Sequence, residues 1–476
     1  MHFSIPYTQE LNEGNGSTFI GYNVYINGVF HCTVRYKQLH NLNEQLKKEF
    51  GSDSIPPFPP KKLLPLTAGQ LEERRVLLEK YIQIVGQDGK LVSSEILTGF
   101  LLSAQQETIC QKKEDVNLDI YVTNNYQMSI RVSTIHRTEQ VLSKTLKQIS
   151  LSLDFIQYFS LYLIKLENTG DMVVLRKLSD FESPYMTQQA VQGANRIMLR
   201  KSYWDKAFDK ELMKDPIALN LLYLQTLADI ERGWIITTKE NRSHLEQLQD
   251  KFAKREYIEY AQRLKYYGFL QFGLCYCDYP YARTGVQISI GNEELNMRIL
   301  GPSKLVKEGV FKVTRMRCWR ITAPNDKLPS NIEDDSHSNS IYSNTKSRME
   351  LSFEYLMSKD KLHLITISSD QAILMSVCLQ SLVDELLMKK NGFKKKSVES
   401  NKGKRPYMKR DGSYQFVSID SIYMDSAEES DGESINDFQE PFSIKKLQEK
   451  FSSVSFKSGR EIIENHVFEG IGDDDL

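Results

Sequence analysis

Long apolar runs are missing from this chain of 476 residues, and no stretch approaches the ~18–20 residues needed to cross a bilayer. The protein is therefore expected to lie on a membrane if it meets one, not to span it. Cysteine is scarce as well. The six thiols (Cys32, Cys110, Cys275, Cys277, Cys318, Cys378) lack framework spacing, and Met1-His2-Phe3-Ser4 does not open a secretory signal, so reduced cytoplasmic thiols are expected. Cys275-Tyr276-Cys277 is half a metal site at most, because two thiolates do not complete a tetrahedral zinc centre, and no metal or other cofactor is expected. An excess of one charge is also lacking, with 61 basic and 62 acidic residues, so the balance does not propose nucleic acid and any membrane affinity must be local. Catalytic signatures are absent too. There is no phosphate-cradling glycine loop, no Gly-x-Ser-x-Gly elbow and no metal-binding pair among the eight histidines, so an enzyme is not expected.

What is present is a series of separately patterned units, as a chain of this length requires. Tyr22, Val24 and Ile26 alternate, Asn27-Gly28 turns the chain, and Val29, His31 and Thr33 alternate again, which is a strong hairpin signal. Leu39, Leu42, Leu46 and Phe50 then share a helix face stopped by Gly51. The loop Ile55-Pro56-Pro57-Phe58-Pro59-Pro60-Lys61-Lys62 cannot be helical, since each proline removes a donor and pushes its predecessor toward extended backbone. Thr67-Ala68-Gly69-Gln70 forms a capping box for a second helix carrying Arg74 and Arg75 on its first turns, and a third helix runs from Glu95 to Gln106.

Residues 1–108 thereby resemble a phox-homology (PX) domain, on the combination Arg35-Tyr36, Pro57-x-Pro59-Pro60-Lys61 and Arg74. The resemblance implies a site for phosphatidylinositol 3-phosphate. Arg35 would take the 3-phosphate, Tyr36 the inositol ring, Lys61 the 1-phosphate and Arg74 the remaining hydroxyls, and guanidinium forks do match phosphate oxygens. Lys37 stands where the family usually has a serine that bonds the 3-phosphate. Leu63, Leu64 and Leu66, around Pro65 and beside lysines, are expected to dip into the bilayer, with buried loop anchors as the plainer alternative.

Beyond residue 116, two alternating runs and a helix opening at Thr138 precede the strand Phe159–Leu163 and a late strand at 196–200, an order that resembles a ubiquitin-like module over 116–201. Residues 202–269 turn helical, with Pro216 near one helix start and Gly233 and Gly268 as stops. Strands then return, and a long amphipathic helix through Leu382, Val383 and Leu387 closes residues 270–390 in the manner of a phosphotyrosine-binding or pleckstrin-homology sandwich. Ubiquitin-like, helical, then sandwich is the order of a FERM domain. PX joined to FERM is similar to one group, the PX-FERM sorting nexins, with Arg315-Met316-Arg317-Cys318-Trp319-Arg320 and Leu356-Met357-Ser358-Lys359-Asp360 fitting closely. The fold class implied is α+β multidomain: PX, then F1, F2 and F3 lobes, then a disordered tail over 391–476.

In that group the F3 lobe binds Asn-Pro-x-Tyr or Asn-x-x-Tyr/Phe motifs of receptor tails by strand addition. Carried over, Trp319, Val383 and Leu387 would line the groove. The arginines around Trp319 suggest a binding face, whereas Val383 and Leu387 alone would pass for core positions of an amphipathic helix. The tail has basic blocks (Lys394–Lys396, 402–405) and an acidic, serine-rich part, the composition of a solvated linker with at most weak attraction to anionic lipid. Its ending carries Asn465, Phe468, Ile471, Asp475 and Leu476, and the resemblance implies docking to the Retriever complex there. Asn465-x-x-Phe468 also has the form of the cargo motif, so the tail is expected to fold back and compete for its own groove. The resulting expectation is a monomeric adaptor, cytoplasmic and peripheral on early endosomes, that returns receptors to the cell surface. The competing reading is a FERM-type linker to the cytoskeleton or a signalling scaffold.

Overall fold

A computed structural model describes residues 1–12, 18–62, 64–109, 112–123, 126–167, 172–299, 307–322, 349–358, 361–390, 405–417 and 462–464. Leu63 and the terminal positions Asn465, Phe468, Ile471, Asp475 and Leu476 lie outside the described residues.

The alternation of the first unit becomes a small antiparallel sheet in which β3 (Thr18–Ile26) pairs with β1 (Phe3–Ser4), β2 (Thr8–Asn12) and β4 (Val29–Arg35). Asn27 and Gly28 both take positive φ, as a two-residue hairpin turn demands. Helix α1 (Tyr36–Phe50) ends at Gly51, whose φ is +85°. Helix α2 (Ala68–Gln87) opens at Thr67 through the expected capping box with Gln70. A short α3 (Gly89–Val92) leads to α4 (Glu95–Ile109), buried along most of its length.

In the second unit β5 (Asp115–Tyr121), β6 (Gln127–Ser133), α5 (Thr138–Gln148), β7 (Phe159–Leu166), β8 (Met172–Lys177), α6 (Pro184–Ala190) and β9 (Asn195–Lys201) build a sheet of order β6-β5-β9-β7-β8, with β5 and β9 parallel. The helical lobe holds α7 (Asp209–Leu212), α8 (Pro216–Glu231), α9 (Lys239–Asp250) and α10 (Lys254–Ala261). The sandwich lobe holds β10 (Leu270–Cys277), β11 (Thr284–Gly291), β12 (Glu294–Ile299), β13 (Lys307–Lys312), β14 (Met316–Thr322), β15 (Glu350–Ser358) and β16 (Lys361–Ser368), closed by α11 (Ala372–Lys390). Cys275 and Cys277 are core residues of this lobe, and burial pushes the Cys277 thiol up to about 11.

The tail departs from the expectation of disorder at two places. Strands β17 (Arg405–Met408) and β18 (Tyr414–Val417) form a hairpin on the first unit, and β19 (Ile462–Glu464) joins the edge of the sandwich sheet beside β14. Apolar burial explains the hairpin: Tyr407 and Val417 enter the first unit's core, which outweighs the basic composition around them.

The first and second units share polar and apolar contacts. Phe181 packs in the core of the first unit, while Gln105 accepts from the Ser183 amide and donates to Thr187. His31 lies buried at this junction, with Nε2 hydrogen-bonded to the Leu101 carbonyl at 3.0 Å and its ring edge-on to Phe181. Burial depresses its pKa to about 4; the field of Glu182 raises it, that of Arg176 lowers it, and the Leu101 bond raises it. Because the folded value lies below the unfolded one, stability is lost as pH falls from about 6.5 toward 4, at about 1.4 kcal/mol per pH unit. Urea midpoints measured from pH 6.5 to 5 should fall with that sign, and His31→Gln should remove the share of His31 while leaving that of His2, which burial also holds down to about 4.

Candidate functional site

Arg35 is the last residue of β4 and directly precedes α1, so a strand and a helix fix its backbone together. Its amide donates to Gln38 Oε1 at 2.8 Å, and its guanidinium lies 4.4 Å above the Phe19 ring on β3. Tyr36 is the hub that joins the other expected ligands to it. The Tyr36 hydroxyl donates to the Pro59 carbonyl at 2.7 Å, tying down the proline loop that ends at the exposed Lys61. Phe58 of that loop packs on Tyr36 and edge-on to Tyr81. Arg74 stacks 4.4 Å over the Tyr36 ring from the second turn of α2, and burial raises the Tyr36 pKa against the opposing Arg74 charge. Arg74 Nη2 is buried with no hydrogen-bond partner among the described residues. The same guanidinium is hydrogen-bonded to the Tyr22 side chain, which leaves the buried Nη2 as the donor that an anion would satisfy.

Arg75, the neighbouring candidate in sequence, serves elsewhere: it binds the Ile5 carbonyl, Glu72 and Glu79. Lys62 pairs with Glu73 at 3.8 Å. Leu64 is 80% exposed, which removes the buried-anchor alternative for it, and Leu66 is half-buried. Lys37 is exposed, and its Nζ lies against the turn of the 405–417 hairpin at Gly412. Phe19 and Gln38 had no sequence signal of their own, since neither residue type marks an anion site.

In the sandwich lobe, β19 extends the sheet antiparallel to β14, with Cys318 opposite Glu464, Trp319 opposite Ile463 and Arg320 opposite Ile462. The structure corrects the expectation that the Trp319 side chain forms an exposed binding face. It is 1% exposed, and its indole donates to Ser376 on α11 at 3.0 Å. The reason is a β-bulge between Met316 and Cys318, which resets the alternation so that Trp319 and Ile321 point into the core and Arg320 away from it. Val383 is likewise core, and Leu387 is partly buried against it. What β14 presents to an added strand is its backbone.

Four family models match the chain between residues 22 and 387: PX domain at residues 22–104, the F1 lobe of the sorting nexin 17/27/31 FERM domain at 116–204, the sorting nexin 17/31 F2 lobe at 205–265, and the Sorting Nexin 17 FERM C-terminal domain at 268–387. Sorting nexin-17 of Danio rerio and of Homo sapiens are each 43% identical over 488 aligned positions, covering 100% of both chains. The chain belongs to the sorting nexin 17 family. Human sorting nexin-31 is also similar, at 35% identity over 82% of this chain and 86% of its own. This PX-FERM sorting nexin is thus an endosomal sorting adaptor and not an enzyme, with a phosphoinositide-binding unit and a FERM unit for receptor tails. No helix among the described residues is long and apolar enough to cross a membrane.

Proposed function

We propose that this adaptor reads phosphatidylinositol 3-phosphate with its first unit and Asn-Pro-x-Tyr or Asn-x-x-Tyr/Phe motifs with its last lobe, so that receptors on endosomes are returned to the cell surface. The observation that carries this reading is strand addition at β14, because an open sheet edge that accepts an extended segment is how such peptides bind. The segment that occupies the edge is Ile462–Glu464, directly before Asn465-x-x-Phe468, so the chain supplies a stand-in for cargo. Side chains around the strand, Leu387 among them, then shape the groove for the motif.

Support for the lipid half comes from the Arg35, Tyr36 and Arg74 assembly and the unpartnered Arg74 Nη2. Arg35 would take the 3-phosphate, Lys61 the 1-phosphate and Arg74 the ring hydroxyls, with Leu64 and Leu66 entering the bilayer beside them. The terminal residues Ile471, Asp475 and Leu476 would recruit the Retriever complex once the tail leaves the groove. The adaptor would work as a monomer.

Tail and cargo then compete. A tethered competitor acts at an effective concentration on the order of millimolar, so a chain ending at Arg460 should bind an Asn-Pro-x-Tyr peptide at least about tenfold more tightly than the full chain. Titration calorimetry on both chains measures this. Equal affinities would sink the competition.

A further inference from the structure

The hairpin 405–417 sits on the first unit, more than 300 residues away in sequence, and its contacts converge on Arg35. Arg410 donates from Nη2 to the Thr33 carbonyl at 2.7 Å and to Thr108 Oγ1 at 2.6 Å, while Thr108 accepts from the Thr33 amide. These bonds occupy the side of β4 that no strand covers among the described residues, two residues before Arg35. Met408 offers its carbonyl to Gln38 Nε2 at 3.1 Å, and Gln38 holds the Arg35 amide. The Arg410 carbonyl accepts directly from Arg35 Nη1 at 2.9 Å. Strand, backbone and guanidinium of Arg35 are therefore all fastened by one segment of the tail.

The anchor of the hairpin is Tyr407. Its ring is 2% exposed in the first unit's core, and its hydroxyl donates to the Glu95 carbonyl at 2.7 Å. Gly99 of α4 makes room for it, since a Cβ there would lie 2.1 Å from the Tyr407 hydroxyl oxygen.

We infer that the hairpin is a wall of the phosphate pocket that positions Arg35, so that the lipid-binding unit of this chain is its first domain together with residues 405–417. Charge argues for a wall and against a plug that imitates the headgroup. Arg405, Lys409 and Arg410 outnumber the single acid Asp411, and the Asp411 carboxylate is turned back on the amide and hydroxyl of Ser413. Arg405 is paired with Glu49 and Glu95 and Arg410 with Glu107, so what decides against a plug is that the hairpin turns no carboxylate of its own toward the pocket in place of the headgroup. One carbonyl on Nη1 aims the guanidinium, as a second ring of contacts does for any binding group.

This inference rests on the phosphoinositide reading, and the experiment separates the two. Full-length wild type, Arg35→Ala, Tyr407→Ala, Tyr407→Phe and Gly99→Ala are titrated with phosphatidylcholine vesicles containing or lacking phosphatidylinositol 3-phosphate, alongside thermal unfolding. Wild-type binding that ignores the phosphoinositide, or that survives Arg35→Ala, overturns the pocket reading itself. If the pocket reading holds, Tyr407→Ala and Gly99→Ala should each weaken phosphoinositide-dependent binding about tenfold, the loss expected when a charged contact loses its aim. Tyr407→Phe, which keeps the ring in place, should remain near wild type. Gly99→Ala is the sharper arm, because alanine favours the helix and only the hairpin is displaced. Unchanged affinity in both variants, even with a lowered unfolding temperature, would reduce the hairpin to a structural strap and overturn the inference; tighter binding would make it a cap and overturn it equally.

Discussion

Arg35→Ala should cost the full chain about 100-fold or more in affinity for vesicles carrying phosphatidylinositol 3-phosphate, because two charge-assisted bonds to one phosphate, at about 1.5–3 kcal/mol each, are removed together. Nothing else in the pocket can replace them. Arg74 is held over Tyr36 from α2, and Lys61 lies at the end of the proline loop, so neither is placed to take over the strand-to-helix position. Arg35→Lys should recover little of the loss, since a point charge does not reproduce a planar fork that stacks on Phe19 and bonds the Arg410 carbonyl. Folding should be nearly unaffected by either change, which makes vesicle sedimentation a clean readout. Retained binding in Arg35→Ala would show that the anion sits elsewhere.

Glu182→Ala should be the most damaging single change to stability. Arg176 and Glu182 are 1% and 0% exposed, and they meet through two parallel bonds of 2.5 Å. Glu182 also accepts from the Ser179 amide and the Thr187 hydroxyl. Burial pushes its pKa up, but the Arg176 charge and these bonds outweigh it and leave the carboxyl below its usual value. With a depressed folded pKa, this contribution is present above the unfolded value and is lost as pH falls through the folded one. Truncation at neutral pH strands a buried guanidinium, at a cost of about 3–5 kcal/mol. The unfolding midpoint of the first two units should drop by on the order of 10 °C. Removing both partners, as in Arg176→Met with Glu182→Leu, should restore part of that, because no uncompensated charge remains. A drop under 2 °C for Glu182→Ala would mean that the junction opens without the rest of the fold noticing.

Much of the architecture was legible because local chemistry and burial agree. Asn27-Gly28, the Thr67 capping box and Gly51 each impose one backbone conformation, and tertiary packing leaves all three in place. Arg74 stacks over Tyr36, the residue that follows Arg35, while the Arg35 guanidinium itself lies on Phe19, which no residue pattern marked. Strand β8 was missed because Met172-Val173-Val174-Leu175 is a continuous apolar run with no alternation to distinguish a strand. Trp319 misled because its arginine neighbours describe the outer face of β14, while a bulge, invisible in the residue pattern, sets which face the indole takes. The hairpin had a signal after all: Asp411-Gly412 lies between Tyr407 and Tyr414, and Gly412 takes φ of +89° in a loop longer than the two-residue Asn27-Gly28 turn, closed by the Gly412 amide on the Lys409 carbonyl. Surrounding lysines and arginines masked it, and only its burial against Gly99 reveals why the segment orders.

The central claim is that one chain holds a phosphoinositide at one end and a receptor motif at the other. It is tested most directly by recruitment of the full-length protein to vesicles bearing phosphatidylinositol 3-phosphate, a lipid-anchored Asn-Pro-x-Tyr peptide, both, or neither. Linked binding on one surface should give recruitment with both signals at least about tenfold above either alone, and Arg35→Ala should reduce it to the level of the peptide alone. Recruitment that depends on only one of the two signals would contradict the account.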